Sequence, residues 1–349
     1  MIARNEAQVI ARCLESVRGL VDSWSIVDTG STDGTPDLVL ELLSDLPGEL
    51  HTRPWVDFAH NRTEAVQLAR GGSRYLLLLD ADMTVSFDLA SMPELVLPSY
   101  LLRYEGDFEY WQALLVRSDL DWRYVGSTHE YITCPEANGE GRLSSIVVHH
   151  HADGGSRAGK LERDLELLTR DRERDPEDVR TVFYLAQTHR DLGNIDTAIR
   201  LYDERAAMGG WAEEVFYSQY QAGALRAENG DWSRALTALL EAWQSRPARL
   251  EPLYEAVKLL RAHNLHEVAH PLVLRGLQQP QPDDVLFVDR WLYDWGFLFE
   301  FSITAYWTGD PQSALTACDR LLARGDLPDA FRAQTIANRD YCVAAVGRT

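Results

Sequence analysis

The chain has 349 residues, a net charge of -20 and an ordinary hydrophobic content of 45%, which is enough for two domains with separate cores. The acidic balance and the lack of a Lys/Arg cluster exclude a protein that tracks nucleic acid, because such a protein needs a basic face. No apolar run approaches the ~20 residues of a membrane span and the first residues lack a signal-peptide pattern, so we expect no transmembrane segment and a cytoplasmic location.

The N-terminal part alternates helix and strand patterns. Hydrophobic periodicity predicts helices over 6–20, 35–46 and 61–70 and strands over 25–27 and 75–79. The continuously apolar strand at 75–79 is typical of a buried parallel strand. This alternation predicts a Rossmann-like, mostly parallel sheet, whose ligands lie at the carboxyl ends of the strands. Asp28 and Asp80 each follow a strand, so we expect two carboxylates at one edge of the sheet.

Further along the chain the pattern changes twice. Residues 111–118 and 144–151 are strand-like, whereas almost everything after residue 160 is helical. We therefore expect an α/β domain over residues 1–158 and an all-α domain over residues 159–349. The four cysteines form no CxxC pair and no zinc spacing, so we interpret them as reduced thiols.

The helical part contains an internal repeat, because DLGNIDTAI, ENGDWSRAL and WTGDPQSAL are alike. Gly193 and Gly230 are 37 residues apart, and Gly230 and Gly309 are 79 apart, which leaves room for a degenerate copy around HNLHEVAH. The pattern resembles tetratricopeptide repeats over roughly residues 176–345. Large aromatic residues at 280–300 predict local irregularity there. Stacked helix pairs suit peptide binding or a homodimer, although the aromatic residues equally suit a core between repeats.

The triplet Asp80-Ala81-Asp82 carries the strongest chemical signal. An apolar strand ending in Asp-x-Asp places carboxylates at a sheet edge, and hard oxygen ligands of this kind suit Mg²⁺ or Mn²⁺ carrying a diphosphate. A second signal is VDTGSTDGT (27–35), in which glycines permit tight turns and hydroxyl side chains can cap a helix. A turn and a helix cap alone would not explain Asp28 at the strand end.

Four segments in this order and spacing resemble family 2 glycosyltransferases with the GT-A fold: IARNEAQVIARCLESV, VDTGSTDGT, PWVDFAHNRTEAVQLA and YLLLLDADM. The resemblance covers residues 1 to about 165 and is closest to a bacterial subgroup whose members carry tetratricopeptide repeats. It implies inverting transfer from a nucleotide-sugar, often a UDP-sugar, with Mg²⁺ or Mn²⁺. The family's first strand normally has several apolar residues before this loop, whereas this chain starts with Met1-Ile2, so either the strand is trimmed or the start is truncated.

The resemblance also implies residue roles. Asp28 would accept a hydrogen bond from the base, Asp80 would hold ribose or a metal-bound water, and Asp82 would contact the metal. The other expected donor-binding residues are Ala3, Arg4, Asn5, Glu6, Asn61, Arg62 and Ala81. The family places its carboxylate base within YVGSTHEYI (124–132), so we expect Glu130 to be the base and His129 to orient or replace it. The alternative for Glu130 is an ordinary surface position.

Three consecutive histidines end the strand at 144–151. Such enzymes often take a last metal ligand from this region, and neutral imidazole suits Mn²⁺ beside carboxylates. Alternation places His149 and His151 on one face, so we favour these two as metal ligands, with Asp80 and Asp82. Asp153-Gly154-Gly155 would be a mobile segment over the diphosphate.

The sequence thus predicts a metal-dependent transferase acting from a nucleotide-sugar on a hydroxyl or thiol of a glycan, peptide or small molecule. A second hypothesis is a repeat-protein scaffold whose transferase domain binds nucleotide without turnover. The intact set of carboxylates and histidines favours the first, and the short first strand favours the second.

Overall fold

The computed structural model describes residues 1–105, 110–151, 153–154 and 159–347. The chain divides into two compact units, Met1–Thr188 and His189–Thr349. The domain division expected at residue 158 remains a prediction, because compactness alone does not define a catalytic domain.

The first unit is an α/β structure. Its strands are β1 (Ile2–Ala3), β2 (Trp24–Asp28), β3 (Gly48–Thr52), β4 (Tyr75–Leu77), β5 (Met83–Phe87), β6 (Ser99–Glu105), β7 (Tyr110–Arg117), β8 (Arg123–Val125), β9 (Tyr131–Thr133) and β10 (Glu140–His150). Its helices are α1 (Ile10–Ser16), α2 (Thr35–Leu42), α3 (Phe58–Leu68) and α4 (Lys160–Arg174), and the boundary of the unit lies within α5 (Val179–Asp191). A 3-10 turn also spans Leu89–Ser91.

The first three strands form a parallel sheet in the order β1-β2-β3, as the βαβ pattern predicts. Ile10, Leu14, Ile26 and Val39 from its strands and helices form one core cluster. Helix α1 is shorter than the 6–20 expected from periodicity. The residues before it form a loop whose backbone is hydrogen-bonded to side chains of the turn after β2.

The second sheet has the order β4-β7-β6-β10-β5, and only its β6–β10 pair is parallel. The expectation of a parallel strand at 75–79 is wrong, because β4 pairs antiparallel with β7. The mostly parallel sheet therefore holds for the first sheet only. A continuous apolar run reports burial on both faces, and it contains no information on the direction of the neighbouring strand.

Strand β10 positions the histidines. It lies between β6 and β5, and its register with β6 shifts between Leu143 and Val147. His149 lies opposite Thr84 and His150 opposite Met83 in the β5 ladder. The C-terminal end of β10 therefore adjoins the segment that joins β4 to β5, which contains the Asp-x-Asp triplet.

A mainly apolar cavity of about 680 Å³ lies within the first unit. Its lining includes residues of β1 and β2 on one side and of β4 on the other, with Cys13 and Val66 from the helices. None of the carboxylates of the Asp-x-Asp triplet lines it. Arg62 and Tyr124 also line this cavity.

The second unit is helical. Its helices are α6 (Ile195–Ala207), α7 (Ala212–Glu228), α8 (Trp232–Ser245), α9 (Glu251–Ala262), α10 (His266–Leu277), α11 (Phe297–Trp307), α12 (Pro311–Leu322) and α13 (Asp329–Val346). Each helix packs on the next along the chain. A π-helical turn at Leu292–Gly296 precedes α11, in the stretch where aromatic residues predicted irregularity. No helix among the described residues is both long and apolar enough to cross a membrane.

The repeat positions behave as the sequence predicts. Gly193, Gly230 and Gly309 all have positive φ, of 77°, 82° and 89°, and each lies in the turn between two helices. The alanines five residues later are fully buried where the helices approach closely: Ala198, Ala235 and Ala314. In the degenerate copy, Asn264 takes the left-handed position with φ 58°, which asparagine tolerates better than most residues.

Candidate functional site

The loop after β1 is fastened to the turn after β2. Asn5 has a left-handed φ of 57°, and its Oδ1 accepts a hydrogen bond from Thr32 N at 2.8 Å. Three backbone N–H groups of the loop donate to side chains of the turn at 2.9–3.0 Å: Asn5 to Ser31 Oγ, Glu6 to Thr35 Oγ1 and Ala7 to Asp33 Oδ2. The two segments expected to bind the nucleoside therefore form one preorganised surface.

Asp28 holds the turn itself. It is 5% exposed, and its Oδ2 accepts from Gly30 N and Ser31 N, both at 3.1 Å. The Ala3 carbonyl similarly accepts from Thr29 N at 2.9 Å. Asp28 Oδ1 accepts a longer hydrogen bond from Ser31 N at 3.3 Å, and contact between Asp28 and a base stays a prediction.

Arg62 joins two of the predicted carboxylates. Its Nη2 lies 2.7 Å from Asp80 Oδ1, and its Nε lies 2.5 Å from Glu130 Oε1, as an ion pair rather than an aligned hydrogen bond. The guanidinium also lies 5.6 Å from the centre of the Tyr124 ring. The Arg62 guanidinium therefore connects helix α3 with the end of β4 and with the segment before β9.

This cluster is largely shielded from water. The side chains of Arg62, Asp80 and Glu130 are 19%, 29% and 12% exposed. Burial alone would lower the pKa of Arg62, but the charges of Asp80 and Glu130 outweigh it and hold that pKa well above the ordinary value. The arginine is therefore charged at every working pH.

Asp82 contacts a different partner. Its Oδ2 lies 3.2 Å from His150 Nε2 and accepts weakly from Gly154 N at 3.4 Å. Burial opposes ionisation of Asp82, but the hydrogen bond and charge of His150 lower its pKa overall. A Cβ added at Gly154 would lie 3.1 Å from Asp82 Oδ2 and 3.3 Å from Glu6 Oε2. Glycine at this position therefore lets the Glu6 and Asp82 carboxylates share a small space.

The histidines at 149–151 contact different partners, and their role as metal ligands stays a prediction. His149 Nε2 lies 3.0 Å from Ser86 Oγ, and His151 Nε2 lies 2.8 Å from Thr84 Oγ1, so both point along the β5 side chains. Alternation does put these two on one face, but His150 between them is the one that reaches Asp82. Alternation separates two faces without showing which of them turns towards the carboxylate.

Three other residues expected to contact the donor have different surroundings in the structure. Asn61 is fully buried, and its amide accepts from Val56 N and donates to Pro54 O, so it supports a loop, and its contact with the donor stays a prediction. Ala81 is 4% exposed and packs in the core below the first sheet. Arg4 is exposed, and it makes no ion pair within the described ranges.

His129 packs away from the Arg62 cluster. It has a left-handed φ of 50°, and its ring stacks on Tyr184 with centroids 4.1 Å apart. Its Nε2 lies 3.9 Å from Asp164 Oδ2. Burial, reinforced by the charges of Lys160 and Arg180, lowers its pKa to about 4. A neutral imidazole of such low pKa is a weak base, which disfavours the expectation that His129 substitutes for Glu130.

This pKa predicts a pH effect on stability. Since the folded-state pKa lies below the ordinary 6.5, the unfolded chain binds more protons as pH falls, and stability is lost between about pH 6.5 and 4. His129→Asn removes the titration and tolerates the left-handed backbone. Between pH 6.5 and about pH 4, we expect the free energy of unfolding of the wild type to fall by about 1–2 kcal/mol more than that of His129→Asn. This figure is reduced because the His129 side chain is partly exposed and water screens its interactions. Urea unfolding at both pH values measures the difference, and parallel losses would contradict it.

Two side chains at the site have the chemistry of metal ligands. Asp82 supplies a carboxylate and His150 an imidazole, 3.2 Å apart, whereas Asp80 is already paired with Arg62. Throughout the described parts of the chain, no group of three or more His, Cys, Asp or Glu residues is arranged for a metal ion. Mg²⁺ is commonly held by one or two carboxylates and completed by substrate phosphates and water, so the pair fits a metal that arrives with a diphosphate.

Comparison with known proteins gives a family and several relatives. Residues 1–130 match the model of Glycosyl transferase family 2. A TPR repeat-containing protein of Synechococcus elongatus is 43% identical over 82 residues, covering 24% of this chain and 19% of that protein. An uncharacterised glycosyltransferase of Rickettsia felis is 30% identical over 100 residues, covering 29% of this chain and 33% of that protein. The chain thus spans well under half the length of these relatives.

Among solved structures, the chain is similar to YrrB, described as a TPR protein with an unusual peptide-binding site. The TM-score is 0.41 at 16% identity, with 52% of this chain and 85% of YrrB covered.

Proposed function

The chain carries a glycosyltransferase domain of family 2, followed by tetratricopeptide-like repeats, and from this premise we propose that it transfers a sugar from a nucleotide-sugar, with inversion, to a hydroxyl or thiol acceptor. A UDP-sugar is the proposed donor. The observation that carries the proposal is the cluster in which Arg62 joins Asp80 to Glu130, together with the Asp82–His150 pair.

Glu130 is proposed as the base. Inverting displacement needs a group that takes the acceptor proton as the new bond forms at the anomeric carbon. The Arg62 ion pair fixes one oxygen of the Glu130 carboxylate, leaving Oε2 as the oxygen to face an acceptor. Arg62 also fixes Asp80, so one side chain sets the distance between the donor side and the acceptor side.

The loop after β1 and the turn after β2 are proposed to hold the nucleoside. Their mutual hydrogen bonds shape this surface before a ligand binds, which reduces the ordering cost of binding. Asp82 and His150 would hold Mg²⁺ or Mn²⁺, and such an ion would neutralise the departing diphosphate. Gly154 lets the backbone lie against Asp82 at this point.

The decisive experiment combines donor hydrolysis with nucleotide binding. We expect a panel of nucleotide-sugars with Mn²⁺ to include one that releases its nucleoside diphosphate and that raises the melting temperature by mass action. Asp82→Asn should weaken Mn²⁺-dependent binding of that nucleotide about tenfold or more. Asp37→Asn, on the exposed first turn of α2, is the matched control and should bind as the wild type does.

The competing hypothesis is a scaffold that binds nucleotide without turnover. It predicts a thermal shift with nucleotide, no release of nucleoside diphosphate from any donor, and no effect of Asp82→Asn on nucleotide binding. That combination would refute the transferase proposal.

The repeats are proposed to recognise the acceptor or to mediate a homodimer. Trp211 and Trp232 are 44% and 39% exposed, and large aromatic side chains are effective anchors for a partner. Trp232 also packs within the second unit, because its ring stacks on that of His263 with the ring centres 4.2 Å apart. The oligomeric state in solution would separate the two roles.

A further inference from the structure

The segment that presents Glu130 is held by helices that lie outside the matched residues 1–130. We propose that contacts from α4 and α5 hold the loop that presents Glu130, and that Arg180 is a positioning residue for Glu130. This inference rests on the proposed function of Glu130 as the base. Residues 127–130 are named the base loop below.

Each residue of the base loop before Glu130 is hydrogen-bonded to α4 or α5. On the α4 side, Ser127 Oγ donates to Asp171 Oδ2 at 2.5 Å and Thr128 Oγ1 donates to Asp164 Oδ1 at 2.9 Å. Both Thr128 and Asp164 are buried, at 7% and 4% exposed. A buried hydrogen bond to a carboxylate contributes more than an exposed one, so these contacts fix the beginning of the loop.

On the α5 side, Arg180 fixes the end of the loop. Its Nη2 donates to the His129 carbonyl at 3.3 Å and to the Tyr184 hydroxyl at 3.1 Å. Its guanidinium lies 4.7 Å from the centre of the Tyr131 ring and 4.9 Å from that of Tyr184. A planar cation between two rings has little freedom to rotate. Arg180 therefore contacts the residues on both sides of Glu130, which are His129 and Tyr131.

The backbone of the base loop needs such support. His129 has φ 50°, which is costly for a residue other than glycine and persists only where the surroundings enforce it. Gly126, just before the loop, has φ 103°, and a Cβ there would lie 3.3 Å from Thr128 O and 3.5 Å from Glu130 Cα. The chain folds back tightly on itself at this point, so release of the outer contacts would let Glu130 move away from Arg62.

The test is Arg180→Gln compared with Arg170→Gln. Arg170 lies on α4, its side chain is 67% exposed, and it pairs with Glu166 of the same helix. We expect Arg180→Gln to lower kcat about 10–100-fold, because a displacement of about 1 Å can cost that much. The KM for the nucleotide-sugar should be unchanged, and Arg180→Lys should recover part of kcat. Arg170→Gln should behave as the wild type.

A purely structural contact would give a different result. It would lower the melting temperature while kcat per folded molecule stayed at the wild-type value, and that outcome would overturn the proposal. Ser127→Ala is a second, milder variant, because it removes the hydrogen bond from Ser127 to Asp171. It should also lower kcat, by a smaller factor, and the protein should still fold.

Amide hydrogen exchange separates this proposal from the proposed function. We expect faster exchange at residues 127–131 in Arg180→Gln than in Arg170→Gln, with nucleotide binding unchanged. If the wild type transfers no sugar but exchange changes as expected, the transferase proposal fails and the support of the base loop by α5 stands. If the wild type is active and neither kcat nor exchange changes in Arg180→Gln, the positioning proposal fails by itself.

Discussion

Glu130→Gln is expected to lower kcat for sugar transfer about 10²–10⁴-fold, because a positioned general base contributes about that much. The amide keeps the shape of the side chain but cannot accept the acceptor proton. Nucleotide binding should be retained, since Glu130 contacts Arg62 and not the nucleoside loop. The measurement is initial rate at saturating donor, with the affinity for the nucleoside diphosphate determined separately.

Glu136→Gln is the matched control for Glu130→Gln. Glu136 is exposed in the turn after β9 and lies outside the Arg62 cluster, so its substitution should change neither kcat nor affinity. Wild-type kcat in folded Glu130→Gln would remove Glu130 as the base and would direct the search to another carboxylate near Arg62, of which Asp80 is the nearest.

Arg62→Met is expected to have the largest effect on stability. It would leave the carboxylates of Asp80 and Glu130 facing each other without a cation in a site where they are 29% and 12% exposed. Removing one partner of a buried ion pair costs about 3–5 kcal/mol, and we expect about 3 kcal/mol here because Asp80 retains some contact with water. Urea unfolding measures the loss as a lower midpoint at unchanged slope.

Two control variants isolate the charge from the shape of Arg62. Arg62→Lys keeps the charge but loses the planar fork that contacts both carboxylates, so its loss should be smaller than that of Arg62→Met. Arg70→Met removes an exposed arginine, 3.8 Å from Asp121, and should cost about 1 kcal/mol or less. If Arg62→Met unfolds at the same urea concentration as Arg70→Met, the cluster does not stabilise the first unit.

Sequence patterns predicted correctly those features that depend on residues close together in the chain. The Asp28 turn, the helix at α2 and the glycine and alanine positions of the repeats depend on backbone conformation and on side-chain size, which neighbouring residues reveal. Gly193 and Ala198 are examples, one with positive φ and the other fully buried. The position of Asp80 after a strand also needs only the order of apolar and polar residues.

Other features depend on partners distant in the chain. The family resemblance implied that Asn61 contacts the donor, yet its amide is hydrogen-bonded to the backbone of Pro54 and Val56. Likewise, the apolar run at 75–79 does not indicate that β4 pairs antiparallel with β7. His150 was passed over because period-two alternation does not show which face meets Asp82.

The sequence by itself predicted the two-part organisation, the repeat register, the resemblance of the first part to family 2 glycosyltransferases and the carboxylates of the proposed site. Only the tertiary structure decided how these carboxylates are paired: Arg62 between Asp80 and Glu130, and His150 on Asp82. It also decided that α4 and α5 hold the base loop. The physical reason is that residue type and spacing report local conformation and burial, whereas hydrogen bonds and ion pairs form between side chains that only the complete fold brings together.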